Sequence, residues 1–279
     1  MRRRRQTVEA ARPSTLHARM SAFKACTRLA RALVHIVQGY LTIWLVFPRL
    51  SPQEKEARIK TWSSELLGLI AIELIVRGVP AAGPVLLAAN HISWLDITAL
   101  HAARFCRFVS KADIKKWPLI GMLASGVGTL FIERESRRDA MRVVHHMSER
   151  LEEGDVIGIF PEGTTSDGRQ LLPFHANLFQ AAIAAGVAVQ PVAVQFIDLA
   201  TGEMSFAPCY VGDDTLAVSV WRTLCADDLA VVITFGQPQQ SQGRGRREWA
   251  LAIRQEVEDL RAQQIAPLPA NALQTRGQK

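Results

Sequence analysis

The chain has 279 residues, of which 48% are apolar and 21% are charged. This composition allows a sizeable buried core and excludes a disordered or fibrous protein. The net charge of +7 is unevenly distributed, because residues 1–31 hold nine basic side chains against the single acid Glu9. That segment alone carries +8, which leaves −1 for the rest of the chain. The N-terminal arm therefore suits an anionic membrane surface or a nucleic acid.

An almost wholly apolar run, residues 32–47, follows the arm and ends at Pro48. It is somewhat shorter than the roughly 20 residues that cross a bilayer, so it is predicted to span with compensation or to lie partly inserted at the interface. Its distance from the N-terminus is wrong for a signal peptide. The alternative is a buried core helix. The preceding basic residues favour membrane attachment, with the arm on the cytoplasmic face of the inner membrane.

Residues 52–70 are predicted to form a second helix, which completes a membrane-associated helical hairpin. Beyond it, strand and helix patterns alternate, so we expect an α/β domain with a mostly parallel or mixed sheet flanked by helices. The predicted strands are short apolar runs at 71–77, 85–89, 105–110, 128–132, 155–160, 189–196 and 230–235. The predicted helices have apolar residues at helical spacing and cover 137–152, 175–185 and 246–261.

Three segments are expected: the arm and membrane-associated helices (1–78), the α/β domain (79–262) and a polar tail (263–279). The four cysteines include no Cys-x-x-Cys pair, so neither a metal site nor a disulfide framework is predicted. No Gly-x-Ser-x-Gly or Gly-Lys-Ser/Thr motif is present, which argues against a serine hydrolase and a nucleotide site. No cofactor is expected. No aromatic-interleaved basic groove is present, so no nucleic-acid partner is expected either.

Residues 90–96, Asn-His-Ile-Ser-Trp-Leu-Asp, directly follow the predicted strand 85–89. His91 is therefore expected at the carboxyl edge of the sheet, where open α/β sheets bind ligands. Five residues turn through about 500° on a helix, so His91 and Asp96 can meet only if the histidine precedes the helix. Asp96 would then accept from one ring nitrogen and leave the other free as a base. The alternatives are an ordinary loop histidine and a Ser93-x-x-Asp96 helix cap.

Four sequence blocks resemble, in the same order, those of the glycerolipid acyltransferases, the family of 1-acyl-sn-glycerol-3-phosphate acyltransferase. The first resembles that family's His-x4-Asp motif. The blocks are 90–96, 128–134, 160–166 and 187–192. The resemblance implies transfer of a fatty acyl group from acyl-CoA or acyl-carrier protein to the free hydroxyl of a lysophospholipid. His91 would be the general base and Asp96 the residue that orients it.

Two basic residues are expected to hold a phosphate of the acceptor. Arg134 and Lys111 follow predicted strands on the edge that carries His91, and an arginine there can bind phosphate with paired donors. The alternatives are an ion pair of Arg134 with a neighbouring glutamate and a solvated lysine.

The third block completes the expected substrate-binding set with Glu162, Gly163 and Thr164. Glu162 can accept from an acceptor hydroxyl, and the glycine lets the backbone approach a ligand closely. The family resemblance implies that both lie in the acceptor site. The alternative is a plain turn after the strand.

The third block departs from the family at one position. The family usually continues Thr-Arg-Ser, whereas residues 164–166 are Thr-Thr-Ser, which removes a phosphate donor that Arg169 is the candidate to replace. Three functions remain open. The first, which is the favoured one, is acylation of 1-acyl-sn-glycerol-3-phosphate to phosphatidic acid. The second is the same chemistry on lyso-ornithine lipid, which has no phosphate, or on another lysolipid. The third is a non-catalytic membrane-binding module.

Overall fold

The computed structural model describes residues 15–117, 120–132 and 137–264. Its helices are α1 Thr15–Leu41, α2 Pro52–Leu69, α3 Leu95–Ala103, α4 Ile120–Gly126, α5 Arg137–Glu152, α6 Phe179–Ala185, α7 Leu216–Cys225 and α8 Arg246–Gln264. Its strands are β1 Ile72–Arg77, β2 Val85–Ala89, β3 Arg107–Lys111, β4 Leu130–Ile132, β5 Val156–Ile159, β6 Ala188–Asp198 and β7 Leu229–Phe235. The basic arm up to residue 14, Arg134 and the tail from residue 265 lie outside the described residues.

The seven described strands form one sheet in the order β1-β7-β6-β2-β5-β3-β4. All neighbours pair in parallel except β6 and β7, which are antiparallel. The predicted α/β class with a mixed, mostly parallel sheet is therefore confirmed. Strand β1, which precedes the boundary predicted at residue 78, lies at one edge of this same sheet. Because β2, β3, β4 and β5 run in the same direction, their carboxyl ends lie along the same side of the sheet, which is the carboxyl edge expected to carry His91.

The predicted strands, the second hairpin helix and the predicted helices of the α/β domain agree with the observed ones to within a few residues. The first hairpin helix, predicted over the apolar run 32–47, begins earlier than expected, at Thr15. Helix α5 covers the predicted 137–152, and each predicted strand overlaps an observed strand. The predicted helix at 175–185 begins as a 3₁₀ turn and becomes α-helical at Phe179. Helices α4 and α7 had no counterpart in the sequence prediction, since both are short.

The proline in β6 lies in the interior of the sheet, although its presence suggested an edge or an irregular position. Pro191 pairs with Ala88 of β2 on one side. On its other side the β6–β7 ladder begins only at Val192, and the Pro191 carbonyl accepts from the N–H of Gly236 at 2.9 Å. A residue's N–H and C=O point to the same side of a strand, so the missing N–H faces the end of β7. The position is irregular but not at an edge.

The hydrophobic core has two layers, one on each face of the sheet. One layer packs α2 and α3 against the strands, with fully buried Leu67, Leu95 and Phe196. The other layer packs α5, α6 and α8, with Met147, Phe179 and Trp249 among its fully buried residues. The sheet is thus covered on both faces, which leaves its edges and strand ends for binding.

The N-terminal helices form the predicted hairpin. Among the described residues, one helical stretch, Met20–Arg49, is long and apolar enough to cross a membrane, and only 17% of its most apolar window is buried. A helix of the protein core would be mostly buried, so the exposure of Met20–Arg49 argues against the alternative of a core helix. The middle of α1 is bound to the domain, because Arg28 donates to the carbonyl oxygens of Leu224 and Ala226 at 2.7 Å.

Candidate active site

The turn after β2 is fixed by the side chain of Asn90. Its amide nitrogen donates to the Val194 carbonyl at 2.9 Å, and its oxygen accepts from the Val194 N–H at 2.7 Å. The buried amide therefore takes the place of a backbone partner and extends the β2–β6 pairing beyond Ala89, where the ladder ends. The next residue, His91, leaves the sheet from a rigid base.

His91 lies on the turn before α3 and contacts Asp96 in the first turn of that helix, as their spacing required. The Nδ1 atom of His91 lies 2.8 Å from Oδ2 of Asp96, and α3 begins only at Leu95. The same oxygen accepts from the backbone N–H groups of Ile92 at 2.7 Å and Ser93 at 2.9 Å. Asp96 is fully buried, whereas the His91 side chain is 18% exposed. Within the described ranges no residue hydrogen-bonds Nε2 of His91.

Ser93 has a structural role, but not the expected one. Its hydroxyl donates to the Pro208 carbonyl at 2.6 Å and accepts from the Leu95 N–H at 3.2 Å, two residues on. A full capping box would have the hydroxyl accept from the N–H of Asp96. Only the reciprocal half forms, in which Asp96 accepts from the backbone of Ser93. The carboxylate thus stabilises the turn and the imidazole together.

Glu162 contacts the backbone of the histidine rather than open solvent. Its Oε1 accepts from the His91 N–H at 2.8 Å, and its Oε2 accepts from the Leu172 N–H at 2.9 Å. The residue is only 4% exposed. Burial raises the pKa of the Glu162 carboxyl, while the two N–H donors and the charges of His91 and Arg261 oppose that rise. This geometry supports a role in positioning His91.

The loop after β5 also forms a hydrogen bond with the backbone carbonyl of His91. The N–H of Ser166 donates to the His91 carbonyl at 2.9 Å. Gly163 adopts a positive φ of 73°, which a residue without a Cβ tolerates, and its N–H closes a turn onto Phe160. Thr164 is exposed on this turn. At the position of the family's usual arginine, the Thr165 hydroxyl donates to the Tyr210 carbonyl.

The expected phosphate-binding residues are only partly described. Strand β3 ends at Lys111, on the edge that carries His91, but its side chain lies outside the described residues, as does all of Arg134. Arg169, the candidate replacement for the missing arginine, is exposed. It lies 3.6 Å from Asp167 and over the ring of Phe206 at 4.7 Å.

Stacked rings support the imidazole from one side. The His91 ring stacks on Phe160 with centroids 4.0 Å apart and planes 11° apart, and Phe160 stacks on Phe108 at 5.3 Å. The absence of a side chain at Gly158 makes room, because a Cβ there would lie 2.9 Å from the Phe108 ring. No motif or spacing in the sequence predicted this stack. The only local signal was the apolar residue that ends the predicted strand 155–160.

Comparison with known proteins identifies the fold. The crystal structure of the 1-acyl-sn-glycerophosphate acyltransferase PlsC from Thermotoga maritima matches with a TM-score of 0.67. The match covers 91% of this chain and 99% of that one, at 18% sequence identity. At this identity the similarity establishes a shared architecture, an α/β sheet preceded by N-terminal helices.

Sequence comparison identifies the family. The family model described as Acyltransferase matches residues 73–195. A lyso-ornithine lipid O-acyltransferase of Pseudomonas aeruginosa is 35% identical over 244 residues, which cover 85% of this chain and 93% of that relative. A 1-acyl-sn-glycerol-3-phosphate acyltransferase of Neisseria gonorrhoeae is 42% identical over 151 residues, which cover 54% of this chain and 58% of that relative. The chain belongs to the acyltransferase family, and the predicted acyltransferase activity is confirmed at this level.

Proposed function

We propose that this acyltransferase moves a fatty acyl group from an acyl thioester to the free hydroxyl of a lysolipid, with His91 as general base. One observation carries the proposal. The imidazole is held through Nδ1 by the buried carboxylate of Asp96, the side chain is partly exposed, and Nε2 has no hydrogen-bond partner among the residues described. A base needs an oriented ring with one basic nitrogen open to the substrate, and this arrangement supplies both.

The chemistry follows from that geometry. Nε2 takes the proton of the acceptor hydroxyl as its oxygen attacks the thioester carbonyl, and the tetrahedral intermediate then expels the thiolate. The proton held on the imidazolium passes to the leaving sulfur, which restores the neutral base. Asp96 stabilises the imidazolium during these steps. The donor is acyl-CoA or acyl-carrier protein, since both present a thioester.

A lyso-ornithine lipid is the acceptor that the described loop favours. Where the family usually has an arginine, the Thr165 hydroxyl is bound to a backbone carbonyl, and Arg169 is exposed beside Asp167. The Thr165 hydroxyl is therefore already bound, and the exposed Arg169 guanidinium has an acidic neighbour that competes with a phosphate. The Pseudomonas relative that matches almost over its whole length is itself named for lyso-ornithine lipid.

The second candidate acceptor is 1-acyl-sn-glycerol-3-phosphate, which gives phosphatidic acid. It is favoured by the position of Lys111 at the end of β3, on the edge that carries His91, and by the expectation from the sequence that Arg134, which follows β4, supplies a second cation. It also agrees with the name of the Neisseria relative. In this alternative the two cations bind the phosphate and fix the glycerol, so that its hydroxyl reaches the histidine.

Purified full-length protein assayed with palmitoyl-CoA distinguishes these acceptors. We expect kcat/KM for lyso-ornithine lipid to exceed that for 1-oleoyl-glycerol-3-phosphate by about tenfold, the effect of one good polar contact. The reverse order, combined with a selective loss of activity on the phosphate acceptor in Arg134→Ala, would establish the second candidate. Transfer to neither acceptor would contradict both.

Membrane attachment through α1 and the turns that follow it completes the proposal. Large apolar side chains are exposed along one side of this hairpin: Val34, Val37, Leu41, Trp44 and Leu45. Their spacing of three to four residues forms the apolar face of an interfacial or spanning helix. The cationic arm before α1 adds attraction to anionic lipid and favours the cytoplasmic face.

Vesicle flotation tests this attachment. Replacing Val34, Val37 and Leu41 by glutamine should release the protein from phosphatidylglycerol-containing vesicles. Deleting residues 1–50 would be less informative, because Ala25 of α1 is fully buried in the core. Leu251→Gln is the matched control, since Leu251 is exposed on α8. Full retention of the triple variant on vesicles would contradict attachment through this face.

A further inference from the structure

Helix α8 lies beyond the region matched by the family model, yet two of its arginines bind the loop that holds the catalytic histidine. Arg254 donates from Nε to the Leu172 carbonyl at 3.1 Å and from Nη2 to the Leu171 carbonyl at 2.6 Å. Arg261 donates from Nη2 to the Gly168 carbonyl. The two arginines are seven residues apart, so two helical turns place them on the same face of α8.

The first route from α8 to the histidine passes through one peptide unit and one carboxylate. The carbonyl of Leu172 accepts from Arg254, and the N–H of Leu172 donates to Oε2 of Glu162. The other carboxylate oxygen of Glu162 accepts from the His91 N–H. Three hydrogen bonds of 3.1, 2.9 and 2.8 Å therefore connect the guanidinium to the backbone of the base.

The second route reaches the other side of the same residue. Arg261 binds the Gly168 carbonyl, the N–H of Gly168 donates to the Ser166 hydroxyl at 3.2 Å, and the N–H of Ser166 donates to the His91 carbonyl at 2.9 Å. Arg261 is only 6% exposed and also pairs with Glu258 at 3.0 Å. A buried guanidinium is retained where it is bound to several groups, as it is here.

We propose that Arg254 and Arg261 are positioning residues for catalysis, through which α8 sets the orientation of His91 relative to Asp96 and the substrate. The inference rests on the proposed role of His91 as base. Fixing both the N–H and the C=O of His91 leaves its ring little freedom to leave the Asp96 carboxylate. Misplacing a catalytic group by about 1 Å can lower the rate by roughly 10²-fold. The arginines touch no reacting atom, so they act through the loop alone.

Steady-state kinetics on the full-length protein test the proposal, with palmitoyl-CoA and whichever of the two acceptors the wild type uses. Arg254→Met keeps most of the apolar stem and removes the donors. We expect its kcat to fall by about 10- to 100-fold with little change in KM for palmitoyl-CoA, because the geometry of the base is altered rather than donor binding. Arg254→Lys should recover part of kcat, because a single ammonium can serve one of the two carbonyls. Arg247→Met, an exposed change in the first turn of α8, is the control.

A double-mutant cycle separates positioning from general stability. In Glu162→Gln one carboxylate oxygen becomes an NH₂ group, which cannot accept from the N–H of His91 or Leu172 that it faces. The hydrogen-bonded connection from Arg254 to His91 is therefore already broken in this variant. Adding Arg254→Met to that variant should then lower kcat much less than it does alone. Additive effects on kcat, or a loss that matches the unfolded fraction measured at the same temperature, would overturn the proposal. Arg261→Lys, which keeps a buried charge, is the second variant if Arg254→Met does not fold.

His91→Ala in the same assay reports on the proposed function separately. If that variant retains wild-type turnover, the base assignment is wrong, whatever the arginines do. If it is inactive while Arg254→Met and Arg261→Lys retain full kcat, only the positioning role is overturned.

Discussion

Two histidines flank the start and end of α3, and they touch the same group of aromatic rings. His91 stacks on Phe160, and Phe160 stacks on Phe108. His101, in the last turn of α3, also contacts Phe108, with ring centroids 5.1 Å apart. The two imidazoles therefore share a support, and they differ in what the protein places around their nitrogen atoms.

The surroundings of the two histidines support the role of base proposed for His91 and a structural role for His101. His91 has a carboxylate partner at Nδ1 and reaches the surface. His101 is buried, and its Nε2 lies 2.9 Å from the Cys106 carbonyl. Burial lowers the pKa of His101 to about 4, partly offset by that carbonyl, so the ring stays neutral at pH 7. The residue type alone therefore does not identify a base. An oriented ring with an accessible nitrogen does.

The largest expected effect comes from removing the imidazole of His91. His91→Ala should lower kcat by roughly 10²–10⁴-fold, the usual contribution of a general base. The thermal midpoint should change little, because the side chain is partly exposed and its backbone contacts remain. Acyl-transfer kinetics and a thermal melt on the same preparation measure both. Near-wild-type turnover would place the base elsewhere.

Asp96→Asn asks whether the charge of the partner matters. Oδ1 of Asp96 has no hydrogen-bond partner among the described residues, so an amide can keep its oxygen at the Oδ2 position and retain all three donors. The variant should lower kcat by about 10²-fold or more, because a neutral amide stabilises the imidazolium poorly. The exposed Asp213→Asn serves as a charge-matched control. Unchanged kcat would reduce Asp96 to a turn-stabilising residue.

The shared ring provides a smaller test. Phe160→Leu removes the flat face against His91 but keeps an apolar side chain. An aromatic pair contributes about 0.5–1.5 kcal/mol beyond area burial, which corresponds to a few-fold to roughly tenfold decrease in kcat. Phe160→Tyr should stay near the wild-type rate. If the leucine variant loses stability while kcat is unchanged, the stack is packing only.

The sequence predicted those parts of the fold and site that depend on near neighbours. Helix α5 was predicted from its apolar period, and the meeting of His91 with Asp96 from a five-residue spacing after a strand. The position of Pro191 in the sheet could not be predicted, because an interior strand accommodates a proline only where the ladder with its neighbour has not yet begun, and the β6–β7 ladder begins at Val192. That start is a property of the whole sheet and leaves no local signal.

The hydrogen-bond partners of Glu162 show more clearly what the sequence cannot predict. Its sequence position predicts contact with the acceptor, which stays a prediction, and the structure adds two partners that the sequence did not indicate, N–H groups 71 and 10 residues away. Backbone donors are present at almost every residue, so no composition or spacing marks these two. The arginines of α8 had a weak signal in their seven-residue spacing. Their carbonyl partners, 82 to 93 residues earlier, had none.

The smallest expected effect on activity comes from replacing the buried histidine, His101. His101→Gln keeps a donor for the Cys106 carbonyl and removes the titrating group, so kcat should stay within about twofold of wild type, as for a change far from the substrate. Stability should reveal the difference. The folded pKa of about 4 lies below the unfolded value of 6.5, so the unfolded state binds the proton first as the pH falls. The wild type should therefore lose about 3 kcal/mol of unfolding free energy between pH 6.5 and pH 4 from this group, and the variant should lack that loss. Parallel pH profiles of the two proteins would show that His101 is not held neutral by burial, and a large fall in kcat would show that the two histidines are functionally coupled through Phe108 and Phe160.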